Sequence, residues 1–232
     1  MLILKDAKDE DVIALGRELL NRNRDRLTSF EEAAQAIVRG LYNEVCLPDG
    51  DPLFVMLRVF RFGTREDLHP ELLPLAQEES EHWLTLMASI GTEPDWCDRR
   101  LSQAHRILPA DAPSSPMLQA AFQQMGLQFG QYKRNDTMLE MHKHTHGGHM
   151  RYFYIPEALG SPFVPAQNDF VIPYHIQSVV GFGSMFVNKT AYFCVGFTRQ
   201  IITEEEAARF AHFNPFAGTL LALYTRRNIW AG

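Results

Sequence analysis

Apolar and polar positions change their period along this chain, and each change marks an element. Val12, Leu15, Leu19, Leu20 and Leu27 recur at spacings of three, four and seven, the stripe of an amphipathic helix over residues 9–26. Ser29 opens a second helix. Its hydroxyl can cap the amide of Glu32, whose carboxylate can reach back in a capping box, and Ala33, Ala34, Ile37, Val38 and Leu41 supply the buried face. Leu47-Pro-Asp-Gly-Asp-Pro52 is a turn. Leu53 to Phe62 then predicts a strand, largely buried because Arg58 and Arg61 are its only charged residues. Residues 70–82 predict a helix and His82 to Ile90 a second apolar strand, followed by a loop from Gly91.

A Pro/Ser/Ala-rich linker at 109–116 leads to a helix with Pro116 in its first turn, carrying Met117, Leu118, Ala121, Phe122 and Met125. From about residue 138 to 199 the pattern becomes aromatic and β-branched runs bounded by Pro, Gly or Asn-Lys, the signature of an antiparallel meander. Thr203 is an N-cap candidate with three glutamates behind it, where a helix dipole favours negative charge. A closing helix follows, broken or restarted at Pro215. Two helices, strands interleaved with helices, a meander and a last helix give an α+β fold, an antiparallel sheet with helices on its faces. The boundaries expected are a single domain over 1–232, with a helical extension at 1–46 and a core at 50–232.

Composition narrows the function classes. The chain has 232 residues, 46% apolar and 22% charged, enough for a substantial core. A net charge of −6 opposes a nucleic-acid partner, which would favour a basic surface. No stretch approaches the roughly 20 apolar residues that span a bilayer, and the N-terminal apolar run is too short for a signal peptide. Cys46, Cys97 and Cys194 are odd in number and lack a Cys-x-x-Cys pair, which points to the reducing cytoplasm.

Three groups of residues carry candidate chemistry. His142, His144, His146 and His149 fall within eight positions; on a strand the first three share a face at steps of about 7 Å. Imidazoles so placed suit Zn, Ni or Cu, and the alternative is an exposed His-rich hairpin. Trp96, Arg99, Ser102 and His105 form the second group. An arginine, a hydroxyl and an imidazole can hold a carboxylate or phosphate under an indole lid; alternatively Arg99 pairs with Asp95 or Asp98 and His105 caps a helix. His105 as an axial haem ligand is the minor option. The third group is aromatic: Tyr154, Phe170, Tyr174 and Phe182 lie on the meander and its long Pro-rich loop, alongside Phe163 and His175. Core packing is the ordinary role of such rings. The loop at 157–169, with Gln167, Asn168 and Asp169 at its tip, reads as a cover. Gly-x-Ser-x-Gly, a phosphate-binding Gly-Lys-Ser/Thr, His-Glu-x-x-His and Gly-x-Gly-x-x-Gly opening a helix are absent, so no catalytic residue is assigned and a non-enzymatic role is expected.

Val171-Ile-Pro, Val179-Val-Gly-Phe-Gly, the strand Tyr192 to Phe197, and Ile202-Thr-Glu-Glu-Glu with its Ala-rich helix resemble the closing half of a GAF domain. Ser29-Phe-Glu-Glu-Ala-Ala-Gln, Arg58-Val-Phe-Arg, Pro94-Asp-Trp-Cys-Asp-Arg-Arg with Ser102 and His105, and Gly160 to Phe170 resemble the GAF-like input region of some bacterial sensor histidine kinases. The resemblance implies a central antiparallel sheet holding a small-molecule ligand under cover loops, extra N-terminal helices, and a sensory role. With no kinase transmitter or ATP-binding box in the chain, it implies a stand-alone sensor that acts on a signalling protein partner, as a homodimer through its terminal helices. The histidine cluster has no counterpart in that pattern. The alternative is a metal-binding protein or metal-dependent enzyme built on residues 142–149.

Overall fold

The computed structural model describes residues 1–76, 80–110, 115–125 and 152–231. The four histidines of the 142–149 cluster, and any strand within residues 138–151, lie outside the described residues.

Both N-terminal helices form where the apolar stripe predicts them, α1 at Asp9–Asn23 and α2 at Phe30–Glu44. The Ser29 hydroxyl accepts the Glu32 amide at 3.1 Å. Glu32 reaches one residue further back than a capping box requires, accepting from the amide and hydroxyl of Thr28. Short strands β1 (Leu2–Ile3) and β2 (Val45–Cys46) pair in parallel and tie the chain start to the end of α2.

The centre is a six-stranded sheet of β3 (Phe54–Thr64), β4 (His82–Gly91), β5 (Ile107–Pro109), β6 (Tyr152–Ile155), β7 (Ser178–Met185) and β8 (Ala191–Thr198). Its order is β5-β4-β3-β8-β7-β6, and every neighbouring pair is antiparallel. This is the α+β architecture that the pattern predicts. Strands β3 and β8 lie in the middle, which is why their runs are apolar on both faces.

Strand alternation divides the core in two. On the proximal face, Leu57, Val59, Val180, Phe182 and Cys194 pack against Phe30, Val38 and Leu41 of α2 and against the C-terminal helices α4 (Glu204–Arg209) and α5 (Asn214–Ala222). Thr203 caps α4 as expected, accepting the Glu206 amide at 3.2 Å while the Glu206 carboxylate takes the Thr203 amide at 2.6 Å. On the distal face, Phe60, Leu86, Phe153, Phe193 and Val195 are covered by α3 (Pro116–Gln124) and by Ala158, Val164, Val171 and Ile176 of the connection from β6 to β7. Each such aromatic or aliphatic side chain contributes about 1.5–3 kcal/mol by leaving water.

Two expectations change. Residues 70–82 do not form one helix: Pro70–Leu75 is a 3-10 turn with Pro74 inside it, and β4 begins at His82. Pro74 has no amide to donate, so an α-helix cannot run through it at full strength. The Pro-rich loop extends beyond 169 and reaches β7 through a π-helical turn at Gln167–Val171. Among the described residues no helix is long and apolar enough to cross a membrane.

Candidate functional site

The register of the central strands fixes a grid on the distal face. Met56 pairs with Gly91 of β4 and Phe197 of β8; two residues on, Arg58 pairs with Ser89 and Val195; after a bulge at Val59/Phe60, Phe60 pairs with Leu86 and Phe193. Paired residues point the same way with Cβ atoms about 4.5–5.5 Å apart, and successive rows stand about 7 Å apart along the strands.

The first row carries the aromatic group. A 3-10 turn at Pro94–Trp96 returns Trp96 over Gly91, where a Cβ would stand 2.8 Å from the indole. The indole contacts Tyr174 at 4.6 Å and Phe170 at 5.6 Å between ring centroids, and Phe170 seats edge-on to Phe197 at 4.9 Å. Phe170 lies in the π-helical turn and Tyr174 follows it, its amide donating to the Phe170 carbonyl at 3.2 Å, which brings the two rings to the same side. Gln167 holds the loop closed from within. It accepts the Gly160 amide at 2.8 Å and donates to the Ala158 and Val164 carbonyls at 3.0 and 2.6 Å, so only Asn168 and Asp169 of the expected polar tip face outward.

The second row is polar. Arg58 is 7% exposed and Ser89 is fully buried, side by side among apolar neighbours. The Leu86 amide donates to the Arg106 carbonyl at 2.9 Å and β5 pairs with β4, which draws the 102–106 segment back onto the sheet. Ser102 there accepts from the Arg58 guanidinium at 3.0 Å and donates its own hydroxyl hydrogen bond to the Ala104 carbonyl at 2.8 Å. His105 stands at the exposed edge with φ 63°, in the left-handed region that a non-glycine residue enters at a cost. Desolvation by the surrounding protein, and then the Arg58 charge, lower its pKa, so the imidazole is neutral at pH 7.

Arg58 differs from the other buried arginines. Arg61, on the proximal side, pairs with Asp67 at 2.9 Å, and Arg99 pairs with Glu31 and Glu71 at 2.5 and 2.8 Å. Among the described residues no carboxylate pairs with Arg58, and burial pushes its pKa down to about 10. It still carries its charge at pH 7, at a desolvation cost on the order of several kcal/mol. Arg58 Nε and Ser89 Oγ, neighbours on one face, are both buried without a hydrogen-bond partner.

The sequence-selected residues therefore separate. Trp96, Phe170 and Tyr174 come together, and Ser102 and His105 come together beside them. Arg99 turns away: its two carboxylates and the Trp230 ring, 4.7 Å from the guanidinium carbon, engage it, rather than Asp95 or Asp98, and Asp98 pairs with Arg100 instead. Tyr154 and Phe182 lie on the proximal face. The Tyr154 hydroxyl donates to the Ile202 carbonyl, and Phe182 packs on Phe213 at 5.9 Å. Arg58 and Ser89 were not selected, although a charge inside an apolar strand is the signal that would have found Arg58. Among the described residues no group of three or more His, Cys, Asp or Glu is placed to hold a metal.

No family model matches the chain, and no curated protein matches it. Solved structures do. The GAF domain from Acinetobacter phosphoenolpyruvate-protein phosphotransferase aligns with a TM-score of 0.49 and 11% identity over 90% of this chain and 92% of that one. The GAF domain of a phosphoenolpyruvate-protein phosphotransferase from Coxiella burnetii aligns at 0.48 and 11%, over 93% and 94%. The phycocyanobilin-bound GAF domain from a cyanobacterial phytochrome aligns at 0.43 and 11%, over 94% of each chain. The chain is similar to GAF domains. The candidate site stands on its own residues.

Proposed function

We propose that the chain is a stand-alone sensory module that binds a small ligand on the distal face of its sheet, under the 156–177 connection, and relays occupancy to a signalling protein partner. The observation that carries this reading is the polar row Arg58–Ser89, with Ser102 and His105, set into an otherwise apolar face one row from the aromatic group of Trp96, Phe170 and Tyr174. A buried charge is costly in a core and useful in a binding site, where it fixes a ligand's orientation. The same proposal includes a homodimer through the terminal helices.

The test is mass spectrometry of small molecules released on denaturing protein purified without an affinity tag. A near-stoichiometric species in the wild type, depleted in Trp96→Ala, is expected. A species retained equally by that variant refutes this placement.

A second reading rests on the four histidines within residues 142–149 and is a Zn, Ni or Cu site. Metal analysis of the untagged protein tests it: stoichiometric metal lost in the His144→Ala, His146→Ala double variant supports the site, and metal-free wild type removes it. An absorption band of bound haem would instead point to His105.

A further inference from the structure

We propose that the distal face binds the oxyanion head of a small organic acid, a carboxylate or a phosphate, on Arg58 and Ser89, with His105 at the solvent edge of the site. The inference rests on the ligand-binding reading above and deepens it by naming the ligand's charge and the atoms that meet it.

Two independent observations converge. Arg58 Nε and Ser89 Oγ are both buried without a hydrogen-bond partner, and the β3–β4 register sets the two residues directly opposite on one face. Unmet donors are uncommon in a folded interior, and two together mark a place where an acceptor belongs. Nε orphaned alone would mean little, since Arg61 and Arg106 share it; those two, however, already have Asp67 and Glu71 as counter-charges. Arg58 has a hydroxyl as its partner, Ser102, and a serine cannot neutralise a guanidinium.

The surroundings fit an acceptor that is anionic and planar or tetrahedral. The free edge of a guanidinium offers parallel N–H groups matched to two oxygens of a carboxylate or phosphate, and a hydroxyl supplies a further donor. His105, next to Arg58, can give one more hydrogen bond as a neutral imidazole. One row along the strands, Trp96 and Phe170 supply apolar surface about 7 Å away, the span of a ring attached to the head group. Arg99 cannot serve this role, because Glu31 and Glu71 already occupy it.

The test follows thermal unfolding of the full chain at pH 7 in potassium phosphate, sodium benzoate and benzamide, each against chloride at matched ionic strength. A ligand that binds the native state alone raises the midpoint with a saturable dependence on its concentration. Benzoate or phosphate is expected to do so. A response to benzoate above phosphate assigns the organic carboxylate, and the reverse assigns the phosphate. Arg58→Met should abolish the increment while remaining at least as stable as wild type in chloride, because an unpaired buried charge has gone. Ser89→Ala should weaken apparent affinity by roughly three- to tenfold, the worth of one hydrogen bond. A purely structural Arg58 would behave oppositely, with a lowered midpoint in chloride and an unchanged increment. Should Arg58→Met fail to fold, Arg58→Lys with Ser89→Ala decides the point; an unaltered benzoate and phosphate response in both overturns the inference. Benzamide binding as well as benzoate, in wild type and Arg58→Met alike but not in Trp96→Ala, overturns the anion assignment and leaves the ligand-binding reading standing. No response to phosphate or benzoate overturns the anion assignment as well.

Discussion

Replacing Arg99 by methionine should cost the protein about 3 kcal/mol at pH 7. The arginine joins three segments far apart in sequence. Its Nε donates to Glu31 in the first turn of α2 at 2.5 Å, its Nη1 donates to Glu71 in the Pro70–Leu75 turn at 2.8 Å, and its guanidinium lies over Trp230 near the C-terminus at 4.7 Å. Hydrogen bonds to charged groups contribute about 1.5–3 kcal/mol each, which gives roughly 3–6 kcal/mol for the two. Part of that is recovered in the variant. Glu71 is one-third exposed and keeps Arg106 at 3.3 Å, whereas Glu31 is left poorly hydrated beside an apolar side chain. Thermal and urea unfolding monitored by circular dichroism would read the loss, about 6–12 °C in midpoint for a chain of this size. The pH dependence is specific. The Arg99 hydrogen bond holds the Glu71 carboxyl below its ordinary value of 4.5, so this part of the stability is fully present above that value and is lost as pH falls through the folded-state pKa. The gap between wild type and Arg99→Met should therefore be constant from pH 7 to 5 and narrow below about 4.5. A loss under about 1 kcal/mol, or a gap that does not change on acidification, would refute the reasoning.

Gly181→Ala should destabilise by about 1–3 kcal/mol, because its Cβ would meet the Cys194 carbonyl oxygen of the neighbouring strand at 2.7 Å, a backbone atom with no room to give; unchanged unfolding in urea would contradict this. Ser29→Ala should lose roughly 1 kcal/mol by freeing the Glu32 amide, and Ser29→Asp should regain part of it, measured by the same unfolding curve. Of the three thiols, Cys97 is exposed, whereas burial raises the pKa of both Cys46 and Cys194. A disulfide reagent at pH 8 should react quickly with one thiol per native chain and with all three after denaturation; two fast thiols would show that one of the buried pair is open.

Much of the architecture is legible because it is local. The stripe from Val12 to Leu19, the Ser29 and Thr203 caps, and the apolar runs of β3, β4, β7 and β8 each specify an element within a few residues of themselves. The helix expected over 70–82 fails for an equally local reason, Pro74, whose missing amide outweighs the Leu72–Leu73–Leu75 pattern around it. The candidate site is less legible. Arg99 stands beside Asp95 and Asp98 in sequence, yet it pairs with carboxylates 68 and 28 residues away. Phe170 and Phe182 look equivalent as aromatics of one meander and end on opposite faces of the sheet.

The sequence by itself determines α1, α2 and the strands β3, β4, β7 and β8, and that two arginines sit inside one of those strands. Periodicity and capping are short-range effects, and they survive without knowledge of the partner. Only the tertiary structure decides that Arg58 faces Ser89 while Arg61 faces Asp67 and Phe30 on the other side. Alternation alone sends two residues three apart to opposite faces; which face each takes, and which partner it meets there, depends on strand register, since a slip of one residue sends every side chain to the opposite face. Register is set by the packing of the whole sheet against its helices, and no segment of the chain contains it alone.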